Sequence, residues 1–102
     1  MLIDNGESGG TENMSILIVE DNLTSAKLLD LNMRKHQWKT RMAITGKEAL
    51  EILEKCPDIH LIITDIMMPD MDGIALLREI KNHDEWRDIP VIMCTALADA
   101  DT

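Results

Sequence analysis

Residues 61–73 read LIITDIMMPDMDG, and this stretch decides the fold. Its first part belongs to an apolar run that is too short for a helix and is typical of a strand buried on both faces. The run ends at Asp65, and a loop that contains Pro69 and Gly73 follows. The apolar positions between 74 and 80 then recur at the spacing of an amphipathic helix. The stretch therefore predicts a strand, a loop and a helix in succession.

Two further apolar runs resemble the first one in length and composition. Residues 16–19 read ILIV and are followed by Glu20 and Asp21, whereas residues 90–94 read PVIMC and are followed by Thr95. Each run is long enough for a strand and too short for a helix. Both therefore predict strands that end in polar residues.

Helical spacing fills most of the chain between these strands. Thr45 and Glu48 have the spacing of a capping box, so a helix is expected to begin there. The alternation of apolar strands with helices predicts crossover connections and a mostly parallel sheet covered by helices on both faces. The expected fold class is thus α/β with a doubly wound parallel sheet. The remaining predicted elements are a helix at 24–36, a weaker strand at 39–43 and a helix that begins at 96.

Composition narrows the possible partners of the protein. The 102 residues are 45% apolar, with two Trp and no Phe or Tyr, which indicates one globular domain with an aliphatic core. The net charge of −9, with no basic stripe visible in the sequence, argues against a nucleic-acid partner. Cys56 and Cys94 lack metal-ligand spacing and are expected to be buried and reduced. No apolar run is long enough to span a membrane, so a cytoplasmic protein is expected.

The polar residues after the strands indicate a site. In a parallel sheet the carboxyl ends of the strands share one edge, so Glu20, Asp21, Asp65 and Thr95 are expected to lie near each other. Carboxylates held that close would repel each other unless a cation neutralised them. Mg²⁺ prefers oxygen ligands of this kind, and the sequence therefore predicts a magnesium site.

Three motifs together resemble the receiver domains of response regulators. Residues 16–22 are similar to the first strand and acidic pair of that family, and residues 61–73 resemble its phosphoacceptor segment with the MP and DG pairs. Residues 90–96 resemble the fourth strand with its switch hydroxyl. The resemblance implies a flavodoxin-like receiver fold. It also implies a phosphoacceptor in two-component signalling, which is not an enzyme in its own right.

The resemblance also assigns a role to each residue of the predicted site. Asp65 would accept a phosphoryl group from a sensor histidine kinase or a phosphotransfer protein. Asp21, Asp65 and the backbone carbonyl of Met67 would bind Mg²⁺, and Glu20 would act through a metal-bound water. Thr95 would donate its hydroxyl to a phosphoryl oxygen.

The sequence departs from the family at its end. No lysine follows Lys81, although receiver domains place one at the end of a fifth strand. The expectation is a disordered tail at 1–14 and a truncated receiver domain at 15–102 that lacks the last strand and last helix. Self-association through the exposed edge or face of that domain is expected as well. The alternative hypothesis is a receiver-derived dimerisation or docking scaffold without efficient phosphorylation.

Other functional classes find little support in the sequence. An EF-hand loop that contains Asp70 and Asp72 would need its first ligand at Met68, and a strand precedes it instead of a helix. No GxSxG, HExxH or GxxxxGK[ST] motif occurs.

Overall fold

Four parallel strands form a sheet in the order β2-β1-β3-β4. The computed structural model describes residues 14–66 and 71–94. The strands are β1 (Ser15–Val19), β2 (Lys39–Ala43), β3 (Leu61–Asp65) and β4 (Val91–Cys94), and the crossover helices are α1 (Leu23–Lys35), α2 (Gly46–Lys55) and α3 (Gly73–Lys81). The predicted α/β class with a doubly wound parallel sheet is confirmed.

Some predictions fall on residues that the structure does not describe. Residues 1–13, which make up nearly all of the expected tail, lie outside the described ranges, as does the helix expected from 96 onward. Met67 and Thr95, two residues of the predicted site, also lie outside them.

The strand register divides the core into two apolar layers. On one face, Leu17 and Ile62 pack with side chains of α2 and α3, among them Leu53 and Leu76. On the other face, Ile16, Ile18 and Ile63 pack against α1 and Trp38. β1 is buried along its whole length because it pairs with β2 on one side and β3 on the other. This central strand has the continuous apolar sequence that a two-sided environment requires.

Each helix begins at a side chain that caps its first turn. Asn22, Thr45 and Asp72 accept hydrogen bonds from backbone N–H groups three residues further on, at 2.8–3.0 Å. The predicted cap at Thr45 is confirmed, although Glu48 accepts from the N–H of Ile44 and not from that of Thr45 itself. Within the described ranges, no helix has both the length and the apolar character needed to cross a membrane.

Four apolar residues are more exposed than residues of the core. Leu28 and Leu31 fit the helical spacing of α1, yet both are 57% exposed, because α1 packs on the sheet through other residues of its sequence. Cys56 and Cys94, expected to be buried, are half-buried. Cys56 follows the last turn of α2 and Cys94 ends β4, and β4 lies at one edge of the described sheet.

Candidate functional site

Three carboxylates meet at the carboxyl edge of the sheet. β1 and β3 are neighbours in parallel register, so the residues that follow β1 lie beside Asp65 at the end of β3. Glu20, Asp21 and Asp65 each offer an oxygen atom, and these oxygens all lie within 4.8 Å of one another. Glu20 and Asp65 are only 8% and 9% exposed, whereas Asp21 is exposed. The structure thus brings together all the predicted acidic residues of the site.

The carboxylate of Asp65 is buried without a full set of partners. Its Oδ1 atom has no hydrogen-bond partner among the described residues. A buried carboxylate oxygen in that state is costly, because it has lost water and gained nothing in exchange. The backbone around it is held firmly, since the N–H of Ile66 donates to the carbonyl of Cys94 at 3.1 Å. A cation bound at this edge would give the unpaired oxygen a partner and lower its energy.

The acidic cluster also affects the pKa of the neighbouring Glu20. Burial raises the pKa of Glu20 above its ordinary value of about 4.5, and the charges of Asp65 and Asp21 raise it further. The N–H of Asn22 donates to Glu20 Oε2 at 3.1 Å and partly offsets these effects. At neutral pH the edge therefore concentrates negative charge that the described residues do not neutralise.

A divalent cation fits this donor set. Hard cations bind carboxylate oxygens, and Mg²⁺ takes one or two of them while it keeps several waters. Such an ion would give the partnerless Oδ1 of Asp65 a partner, and its charge would offset the burial and the neighbouring carboxylates that raise the pKa of Glu20. The exposed side chain of Asp21 leaves the cluster open to solvent on one side, which gives an ion and its waters a path of entry.

Gly73 holds the loop after β3 against the site. Its N–H donates to the carbonyl of Ile66 at 2.7 Å. A Cβ at this position would lie 2.9 Å from the Cα of Ile66 and would also press on the carbonyl group of Asp65. The sequence places Gly73 only in the loop that follows the strand. The structure shows that glycine is needed for close backbone approach and not for a positive φ angle.

We expect the metal-free protein to lose stability as the pH rises from about 4.5 through the raised pKa of Glu20. Over that interval the unfolded chain has released the proton that the folded protein still binds, so a higher pH favours unfolding. Glu20→Gln is expected to remove this contribution of Glu20 to the loss of stability with rising pH. Thermal unfolding in EDTA at pH 5 and pH 7, for the wild type and Glu20→Gln, measures the difference. An identical pH dependence in both proteins would contradict the prediction.

The fold and the site define an α/β domain with an acidic cluster at the carboxyl ends of its parallel strands, and comparison with known proteins gives the family. The family model described as "Response regulator receiver domain" matches residues 16–102. The chain therefore belongs to the response regulator receiver domain family, as the resemblance of its motifs predicts.

Curated relatives and solved structures agree with this family. The "Two-component response regulator ORR3" of Oryza sativa subsp. indica is 32% identical over 81 residues, which are 79% of this chain and 62% of that protein. The signal receiver domain of a signal transduction histidine kinase from Syntrophus aciditrophicus is 40% identical with a TM-score of 0.76, and the match covers 82% of this chain and 63% of that one. The N-terminal domain of a response regulator receiver protein from Methanoculleus marisnigri JR1 is 35% identical with a TM-score of 0.74, over 78% of this chain and 63% of that one.

Proposed function

We propose that the chain is the phosphoacceptor domain of a two-component phosphorelay and that Asp65 takes the phosphoryl group. One observation carries the proposal. Asp65 is 9% exposed, its Oδ1 has no hydrogen-bond partner in the part of the chain that the structure describes, and it lies within 4.8 Å of carboxylate oxygens of Glu20 and Asp21. A structural carboxylate would be satisfied by its neighbours, whereas this one is arranged for an external group.

Phosphoryl transfer to Asp65 requires mainly that the protein hold the attacking carboxylate in the correct position. A carboxylate oxygen of Asp65 attacks the phosphorus of a phosphohistidine on a sensor histidine kinase or a phosphotransfer protein. As the new O–P bond forms, the P–N bond breaks and its electron pair stays on the imidazole nitrogen, which takes a proton from solvent. The product is an acyl phosphate. Because β1 and β3 hold the acidic residues in fixed positions, the nucleophile is already oriented in the folded protein, and little further entropy is lost when the phosphodonor binds.

Bound Mg²⁺ would supply the positive charge that offsets repulsion between the carboxylates and the incoming phosphoryl oxygens. Asp21 and Asp65 would bind it directly together with the backbone carbonyl of Met67, and Glu20 would act through a water. Thr95 would donate its hydroxyl to a phosphoryl oxygen. The roles of Met67 and Thr95 come from the family resemblance, whereas those of the acidic residues are also supported by the geometry of the cluster.

Incubation with Mg²⁺ and a small phosphodonor tests the proposal. We expect intact-protein mass spectrometry to show the addition of one phosphoryl group in the wild type. The addition should disappear in Asp65→Ala and in EDTA, because the first removes the nucleophile and the second removes the ion. A folded wild-type protein that gains no phosphoryl group would support the scaffold hypothesis instead.

Self-association stays a prediction, and one structural feature supports it. Ile92 is 49% exposed on β4, which lies at one edge of the sheet within the described residues. Exposed apolar side chains on an edge strand favour contact with another surface. The cytoplasmic location and the lack of nucleic-acid or membrane partners likewise stay expectations from the sequence.

A further inference from the structure

Positive charge is concentrated in one part of an otherwise acidic chain. Residues 27–41 hold five of the ten Lys and Arg residues and only one of the nineteen acidic residues, which gives this segment a net charge of +4. The whole chain carries −9. The segment runs from the first half of α1 into β2, and its last part, which includes Arg34 and Lys39, lies on the side of the amino-terminal ends of β1 and β2. This local excess of cations forms no visible basic stripe in the sequence, because apolar and polar residues separate the cations.

Cations from two different elements line a cleft on this side. Arg34 of α1 and the strand residues Lys39 and Arg41 border a cleft of about 370 Å³ together with Ser15 and Asp58. A cleft of this size can hold a small molecule. Charged residues on an edge strand often serve only to prevent pairing with another strand. That role would not require an arginine from α1, nor a serine that is only 4% exposed.

Two of the three cations in the cleft have no carboxylate partner in residues 14–66 and 71–94. Among the described residues, Lys39 and Arg41 have no carboxylate within 4.0 Å. Arg34 uses its Nε to donate to both carboxylate oxygens of Asp30, at 2.9 and 3.0 Å. Asp30 also accepts from the hydroxyl of Thr40, and this hydrogen bond with the nearby Arg34 lowers the pKa of Asp30. Arg34 is thereby held in place, while its two terminal nitrogens keep donors to offer.

A polar side chain lies buried in the same cleft. Ser15 is the first residue of β1, and its hydroxyl makes no hydrogen bond to any residue of the described ranges. Its backbone, by contrast, is satisfied, because its N–H donates to Nδ1 of His60 and its carbonyl accepts from the N–H of the same residue. Among the described residues, therefore, none competes with a ligand for the Ser15 hydroxyl.

We propose that this cleft binds a small anion that carries a diphosphate group. Arg34, Lys39 and Arg41 provide the positive charge for two linked phosphates, and arginine contacts phosphate oxygens with paired donors. The three cations outnumber the one carboxylate that lines the cleft, Asp58, so the net charge of its lining is positive and attracts an anion more strongly the more charge that anion carries. The cleft lies at the end of the sheet opposite to Asp65. The inference is therefore independent of the proposed phosphoacceptor function.

Calorimetric titration of the full chain with pyrophosphate and with ADP, both in EDTA, tests the inference. EDTA removes divalent ions, so that neither ligand is drawn to the acidic cluster. We expect saturable binding that weakens as the salt concentration increases. Equal affinity for both ligands would mean that the diphosphate alone is recognised. Tighter binding of ADP would mean that the nucleoside also contacts the cleft, beside the half-buried Trp38 that lines it.

Charge-reversal variants distinguish specific binding in the cleft from a general effect of the net charge of the protein. Lys39→Glu/Arg41→Glu is expected to weaken binding at least about tenfold, because both contacts become repulsive. The matched control is Lys47→Glu/Arg78→Glu, which makes the same change in net charge on exposed residues outside the cleft and should bind nearly as the wild type does. Far-UV circular dichroism establishes that each variant is folded. No saturable binding by the wild type, or equal weakening in both double variants, would overturn the inference.

Discussion

In the metal-free protein, Asp65→Asn is expected to increase the free energy of unfolding by about 1–2 kcal/mol, which is several degrees of melting temperature for a domain of this size. The asparagine amide keeps the shape of the carboxylate and removes its charge. It thereby relieves the repulsion between Asp65 and the buried Glu20, and it gives the partnerless Oδ1 position a neutral atom. Thermal unfolding in EDTA measures the change.

In Mg²⁺ we expect the wild type to be more stable than Asp65→Asn, which is the reverse of the order of stability without metal. A ligand stabilises the folded state in proportion to the logarithm of its concentration over the dissociation constant. The wild type is therefore expected to gain stability in millimolar Mg²⁺, and Asp65→Asn to gain almost none. Asp88→Asn, which changes an exposed carboxylate far from the cluster in sequence, serves as the matched control and should behave as the wild type. If Asp65→Asn destabilised the metal-free protein, the carboxylate would have to be a structural group.

Gly73→Ala is expected to cost about 2–4 kcal/mol of folding free energy and most of the phosphoryl acceptance. The new Cβ would meet the backbone of Asp65 and Ile66, including the Ile66 Cα at 2.9 Å. Backbone cannot rotate away as a side chain can, so the loop and Asp65 must shift. Urea unfolding gives the stability, and mass spectrometry after treatment with a phosphodonor gives the acceptance.

Gly46→Ala provides the matched control for this substitution. A Cβ at Gly46 would lie 2.9 Å from Cβ and Sδ of Met71, both of which belong to a side chain. A change of rotamer can move the Met71 sulfur but not its Cβ, so the chain at Met71 must shift slightly, while alanine favours the helix that begins at Gly46. We expect a loss of about 1 kcal/mol, smaller than the loss at position 73. If both substitutions had the same effect, close packing against the backbone at position 73 would not be the cause.

The strand pattern made the acidic cluster predictable. Continuous apolar runs fix which strands are buried, and parallel crossovers fix which strand ends share an edge, so Glu20, Asp21 and Asp65 could be placed together without coordinates. The exposure of Leu28 and Leu31 could not be predicted in the same way. Helical spacing shows which residues share a face, but the width of the face that the sheet covers depends on how the helix packs.

The sequence likewise could not predict the close backbone approach at Gly73 or the basic cleft. A glycine after a proline-containing loop has many explanations, and only the position of the Asp65 carbonyl selects one of them. Similarly, Arg34, Lys39 and Arg41 become neighbours of Ser15 and Asp58 only when β1 pairs with β2 and the turn before β3 comes close to both. Such contacts are determined by tertiary structure and not by any local motif.

Because β1 pairs with β3, the affinity of the acidic cluster for a divalent cation would also report on the register of these two strands. Glu20 and Asp65 come from distant parts of the sequence, and only the register of these two strands brings their oxygens together. A slip of one residue would turn either carboxylate to the opposite side of the sheet. The affinity for the proposed Mg²⁺ would therefore be a sensitive measure of strand alignment, and core substitutions far from the cluster are expected to lower it before the protein unfolds.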